Sequence, residues 1–288
     1  MEHRDGGFDG AGGLRIAWQA WEGREPARST VVIAHGVSEH SGRYGHVVER
    51  LVPAGHDVYA IDHRGHGRSE GRRVLLDRMD NVVADLDQLV SRAVADHPGR
   101  PVFLLGHSLG GCVALAYVLR HQDRLGGLIL SAPAAALESA SPVVRILSRV
   151  LSAVTPGLGV MKVDSGAISR DAAEVRAYEE DPLVDRGKLP ARTVAEAAKA
   201  IDGFPDRVAE IRVPLLVLHG GEDRLTAVAG SRMVDERAGS EDKTLRVYDG
   251  LYHEIFNELP ADRARVLDNL VAWLDDHVPA ANAEARAG

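Results

Sequence analysis

Six apolar runs of strand length, each separated from the next by a longer stretch, constrain this chain more than any other feature. They are TVVIAHG (30–36), DVYAIDH (57–63), PVFLLGH (101–107), LGGLILSAP (125–133), PLLVLHG (214–220) and TLRVYDG (244–250). Strands that are apolar without strict alternation are covered on both faces, and the amphipathic stretches between them supply the cover. The pattern predicts an α/β fold with a mostly parallel central sheet and helices on both faces. Helical spacing of apolar residues places helices over 44–53, 79–96, 110–121, 226–238 and 259–277. Gly55, Gly99 and Gly239 follow three of them, where a left-handed cap residue is expected. The glycine-rich turn in FDGAGGLRIAWQAW predicts an antiparallel hairpin at the sheet edge.

The alternation breaks over 134–210, which is helical and poor in strands. We expect 1–133 and 211–279 to form one core, with 134–210 a helical cap inserted over the site and 280–288 a disordered tail. At the start of the cap, SPVVRILSRVLSAV sets Val143, Val144, Ile146, Leu147, Val150, Leu151 and Val154 against only Arg145 and Arg149 as charges. A helix this apolar packs on the core, walls a tunnel or docks on a membrane.

A formal charge of −8 argues against nucleic acid, whose grip depends on Lys and Arg displacing counterions. The single cysteine, Cys112, permits no internal disulfide and no multi-cysteine metal site. It lies in GGCVALAYVL, where it reads as a small apolar filler. The start, MEHRDGGFDGAGG, lacks the regions of a secretory signal, and no run reaches the roughly 18 apolar residues of a membrane span. A cytoplasmic location is expected, peripheral to a membrane if the cap touches lipid.

In PVFLLGHSLGG, the motif Gly106-His107-Ser108-Leu109-Gly110 lies directly between an apolar strand and a helix. A sharp strand-to-helix turn exposes the serine and requires glycines on both sides, so Ser108 is the candidate nucleophile. Its hydroxyl needs a base held in one tautomer by a carboxylate, and in strand-helix architectures of this kind acid and then histidine follow the serine. Of the later histidines, His121 and His277 end helices and His219 ends a strand. His253 lies in VYDGLYHEIFNE, after the last strand and before the last helix, where the base belongs. Asp223, directly after PLLVLHG, is the candidate acid, with Glu222 the runner-up. Two backbone N–H groups must face the developing oxyanion: Leu109, next after the nucleophile, and Val37, in the loop after TVVIAHG. No metal cluster or phosphate loop competes, and no cofactor is expected.

Together HGVSEHSGRY, YAIDHRGHGRSEG, GHSLGG, HGGEDRLT and DKTLRVYDGLYHEIFNELP resemble the monoacylglycerol lipases, a lysophospholipase-like group within the α/β-hydrolase fold. The likeness spans most of 9–277 and is weakest through the cap. It implies the same triad and oxyanion hole, and a cap that opens onto an acyl tunnel and rests on membranes. It also implies that Glu39, Arg43 and Tyr178 shape a polar pocket for glycerol. Glu39 and Arg43, four apart, equally fit a structural ion pair at a helix start. Mammalian members carry a second histidine three residues after the catalytic one, where this chain has Phe256. Asp62, His63, Arg64 and His66 read as scaffold.

The expected chemistry is two-step acyl transfer from a monoacylglycerol or similar lipid ester through an acyl-serine. Histidine must be neutral to accept the proton, so activity should fall as pH drops through about 6 to 7. The rival enzymes are a lysophospholipase and a broad carboxylesterase. The rival of another class is a non-catalytic binding protein on the same fold.

Overall fold

The structure, a computed structural model, describes residues 1–24, 27–136 and 151–278. The expected tail at 280–288 and most of the apolar SPVVRILSRVLSAV segment lie outside the described residues.

The chain opens on a hairpin, β1 (Glu2–Asp9) and β2 (Arg15–Glu22), antiparallel as expected, with Gly12 and Gly13 at φ 74° and 79° in its turn. There follow β3 (Ser29–Ala34), α1 (Gly45–Leu51), β4 (His56–Ile61), α2 (Met79–Asp96), β5 (Val102–His107), α3 (Leu109–His121) and β6 (Gly127–Ser131). A long excursion then carries β7 (Gly159–Lys162), α4 (Ala172–Glu180), β8 (Lys188–Pro190) and α5 (Ala191–Arg207). The chain returns through β9 (Leu215–Gly220), α6 (Val228–Arg237), β10 (Lys243–Tyr248) and α7 (Pro260–His277). The main sheet has eight strands in the order β1-β2-β4-β3-β5-β6-β9-β10, parallel from β4 to β10.

Successive side chains of a strand point to opposite faces, and here both faces are dry. Val32, Ala34, Leu104, Leu128, Leu130 and Val217 join α2 and α3 in one core. Val31, Ile33, Phe103, Leu105, Ile129, Leu216 and Leu218 join α1 and α7 in the other. Each of the larger side chains gains roughly 1.5–3 kcal/mol from leaving water. The excursion is tied to the first core by Ala135, Ile201, Phe204, Val208 and Ile211, carries a small cluster of its own in Ile168, Tyr178 and Val184, and is hydrogen-bonded to the sheet side through Thr193, Ser169 and Asp185.

The register aligns the carboxyl ends of the strands: Ala34 pairs with Gly106, His107 with Ser131 and Tyr248 with Gly220. The loops that leave this common edge can therefore converge. Gly55 and Gly99 adopt positive φ, but Gly239 does not. At the end of α6, Ala238 already turns extended at φ −58°, ψ 136°, so the chain leaves the helix without a left-handed cap. The β7–β8 pair was not legible in the sequence.

Candidate active site

β5 runs into α3 through Ser108, whose φ of 54° and ψ of −119° are unfavourable for any residue with a Cβ and cost about 1–3 kcal/mol. The turn is held by backbone bonds. Ser108 N donates to Ser131 O at 3.0 Å, and Ser108 O accepts from Gly111 N, Ala134 N and Cys112 N at 2.9, 3.0 and 3.2 Å. A Cβ on Gly106 would lie 2.4 Å from Gly110 O, and one on Gly110 would lie 2.0 Å from Ala34 O, so neither glycine can carry a side chain. His107 lines the same cavity as Ser108 and His253. Its Nδ1 donates to Ser131 O at 3.1 Å, its ring lies 4.7 Å from that of His253, and burial together with His253 pushes its pKa down to about 3. It is a neutral packing partner.

The loop after β9 brings Asp223 against the loop after β10. Asp223 Oδ2 accepts from His253 Nδ1 at 2.7 Å, while Oδ1 accepts from Leu225 N and Thr226 N at 2.7 and 3.0 Å. His219 Nε2 also lies 3.1 Å from Oδ2, its Nδ1 accepting from Ser231 Oγ at 2.7 Å, and Thr226 Oγ1 lies 2.9 Å from Oδ2. Burial works to raise the Asp223 pKa, but hydrogen bonds from His219 and His253, the charge of His253 and the Thr226 N–H outweigh it. The carboxyl is held far below the usual carboxylate range. With Nδ1 committed to a carboxylate, His253 presents Nε2 as its free ring nitrogen, the tautomer a general base needs. Ser108 Oγ and His253 make no hydrogen bond to each other, yet both line one cavity. His219 and Thr226 are the partners sequence reading missed. Their only signal is the spacing of three polar groups across one strand-end turn, HGGEDRLT.

The cavity measures about 1140 Å³, a little above the ~300–1,000 Å³ usual for small-molecule sites. Gly36, Val37, Leu109, Asp223 and Glu254 meet Ser108 and His253 at its polar end. Its far walls are apolar, with Leu151, Val160, Met161, Leu189, Val194 and Ile201 drawn from the excursion between β6 and β9. No hydrogen-bond partner for the N–H of Val37 or Leu109 is found among the described residues. Both flank Ser108, one from the β3–α1 loop and one from the first turn of α3.

Glu39 and Tyr178 line the cavity, but Arg43 does not. Arg43 donates from Nη1 and Nη2 to the two oxygens of Glu254 at 2.7 and 2.8 Å, and from Nη1 to Glu39 Oε2 at 3.1 Å. Its guanidinium carbon lies 4.8 Å from the centre of the Tyr178 ring. The expected Glu39–Arg43 pair exists, but the fork-to-fork contact is with Glu254, from which sequence spacing gave no hint. Burial pushes Glu39 upward against the pull of Arg43. Glu254 is also buried, but Arg43 and Asn257 hold it down to about 2. Phe256 is buried in the α1–α7 core and does not face the cavity. Asp62, accepting from Ser41 N and Arg68 N, and Arg64, paired with Asp77 and Asp85, tie the loop after β4 in place.

Known proteins agree with this architecture. Residues 25–260 match the family described as serine aminopeptidase, S33. The chain is 45% identical to the monoacylglycerol lipase of Mycolicibacterium smegmatis over 94% of this chain and 96% of that protein. It is 34% identical to the human monoglyceride lipase over 94% and 90%. The crystal structure of the Paleococcus ferrophilus monoacylglycerol lipase superimposes with a TM-score of 0.81 at 33% identity, covering 92% of this chain and 99% of that one.

Proposed function

The chain belongs to the serine aminopeptidase S33 family and, within it, to the monoacylglycerol lipases, serine hydrolases of the α/β-hydrolase fold; on that premise we propose that it cleaves monoacylglycerol to glycerol and fatty acid through Ser108, His253 and Asp223. The observation that carries the assignment of residues is the 2.7 Å bond between Asp223 and His253 on the wall of the cavity that holds Ser108.

Ser108 Oγ attacks the ester carbonyl while His253 Nε2 takes its proton, and Asp223 stabilises the imidazolium so formed. The N–H groups of Val37 and Leu109 receive the charge that develops on the carbonyl oxygen. His253 returns the proton to the departing glycerol oxygen, leaving the acyl group on Ser108. Water, deprotonated by the same histidine, then releases the fatty acid.

Residues 134–210 act as a cap over the core formed by 1–133 and 211–279, and the apolar walls they supply hold the acyl chain. Val154, Leu158 and Met161 are 74%, 48% and 51% exposed, and Met161 also lines the cavity. Exposed apolar side chains on the segment that supplies the cavity's apolar walls suit a peripheral seat on a membrane surface. Among the described residues no helix is long and apolar enough to cross a bilayer. The polar groups Glu39 and Tyr178 shape the end that receives glycerol, with Arg43 acting behind them.

Fatty-acid release from monoacyl-, diacyl- and triacylglycerol and from lysophosphatidylcholine, with Ser108→Ala beside the wild type, tests this reading. We expect preference for the monoacyl ester and a loss of at least about 10⁴-fold in the variant. Equal turnover of the lysophospholipid moves the substrate, and turnover that survives Ser108→Ala removes the mechanism.

A further inference from the structure

Lining the cavity beside the base is a carboxylate that nothing above uses. Glu254 follows His253 directly and faces the same space as Ser108, while its backbone N–H is anchored to Ile168 O at 2.7 Å. A carboxylate offers about four acceptor positions. Among the described residues Glu254 fills three, two with Arg43 and one with Asn257 Nδ2 at 2.9 Å on Oε2, leaving one on Oε1. Glu39 likewise fills three: Gly36 N at 2.6 Å and Tyr44 OH at 2.9 Å on Oε1, and Arg43 Nη1 at 3.1 Å on Oε2. The two oxygens with a vacant position, Glu254 Oε1 and Glu39 Oε2, are both bonded to the same nitrogen, Arg43 Nη1.

We propose that Glu254 adds a second carboxylate beside the Glu39 already placed at the glycerol end, the two forming a clamp that accepts hydrogen bonds from two hydroxyls of the leaving group, so that the site takes neutral polyol esters and turns away anionic head groups. The inference rests on the ester-hydrolase reading above and adds the determinant of its head-group choice. Arg43 does not itself touch the substrate; it fixes the spacing of the two oxygens. Two carboxylates around one guanidinium leave the polar end with a net negative charge, and a phosphate brought there meets like charge in a poorly solvated place. The cations that line the cavity, Lys162 and Arg224, are both exposed. Phe256, turned into the core, provides no alternative donor or acceptor.

The test uses dodecanoyl esters of glycerol, ethylene glycol and propanol, which carry two, one and no free hydroxyls, together with dodecanoyl lysophosphatidate. In the wild type kcat/KM should fall about tenfold with each hydroxyl removed, since each forfeits a hydrogen bond to a charged acceptor. Lysophosphatidate should lie about a hundredfold or more below monoacylglycerol. In Glu254→Gln the glycerol-to-propyl ratio should drop about tenfold, mainly through KM, and the lysophosphatidate gap should narrow by a similar factor. Glu254→Asp, which keeps the charge but shortens the reach, should lower the first ratio and leave the second. The clamp is overturned if the three neutral esters differ by less than about twofold in the wild type, a result that needs no variant to fold. It is equally overturned if Glu254→Gln keeps both ratios while monoacylglycerol stays the preferred substrate; the functional reading then stands without it. If no ester is hydrolysed in a Ser108-dependent way, the functional reading falls and takes the clamp with it.

Discussion

The sheet with its flanking helices and the excursion between β6 and β9 hold their parts of one cavity by different means. On the sheet side, Ser108 is fixed by four backbone hydrogen bonds and two glycines that admit no side chain, and Asp223 is gripped by backbone, hydroxyl and two imidazoles. On the excursion side, the walls are aliphatic groups with a three-residue cluster of their own and a seam along α5. Reacting atoms demand sub-ångström placement and sit where packing dictates it. An acyl chain demands only an apolar surface, which side chains supply without being fixed to a sub-ångström position.

The sharpest break in this comparison comes from Asp223→Asn. It should lower kcat by about 10⁴-fold by freeing His253 to take the wrong tautomer, while leaving affinity for a long-chain ester, measured as KM, within about threefold. A comparable collapse of kcat from any single aliphatic change in the excursion would erase the distinction.

Next in size is stability. Leu104→Ala, in the middle of β5 and fully buried, should cost about 2–5 kcal/mol in urea unfolding. Met161→Ala, half exposed on β7, should stay within about 0.5 kcal/mol. Equal costs would mean that the excursion is as integral to the fold as the sheet.

The smallest effect concerns acid. Burial pushes His63 and His107 down to about 3 and His66 down to about 4, all in loops or strands of the sheet side. In the unfolded chain each titrates near ~6.5. Between those values the unfolded state binds more protons, so this stability is complete above about pH 6.5 and is lost as pH falls toward 4. Among the described residues neither ring nitrogen of His63 has a hydrogen-bond partner, so His63→Phe should fold. It should make the loss shallower by about 1.4 kcal/mol per pH unit, read from urea midpoints between pH 6 and 4.5. An unchanged slope would show that His63 is not buried neutral.

Much of the sheet side is legible in the sequence because it obeys local rules. A continuous apolar run marks a strand dry on both faces, and a serine between glycines at a strand end marks a turn that only those glycines allow. The loops carrying Ser108, Asp223 and His253 could therefore be located before any coordinates. What escaped was set by distance along the chain. The partner of Arg43 proved to be Glu254 as well as the neighbour four residues away, and nothing local to either residue encodes that fork. The β7–β8 pair, four and three residues long and largely exposed on β7, has no apolar rhythm to announce it. Gly239 failed as a cap signal because the chain leaves α6 already extended at Ala238, which needs no left-handed residue.

The strand order carries a further consequence. Gly36, Ser108, Asp223 and His253 each follow a different strand, and those strands meet only when β3, β5, β6, β9 and β10 have all docked in parallel. Parallel pairings of this kind close long loops and form slowly. Leu104 and Val32 can be buried by β3, β5 and their immediate neighbours, whereas the Asp223–His253 bond needs β9 and β10 as well. A chain in which any one of these strands is undocked lacks part of the proposed constellation, however well the rest of the sheet is packed.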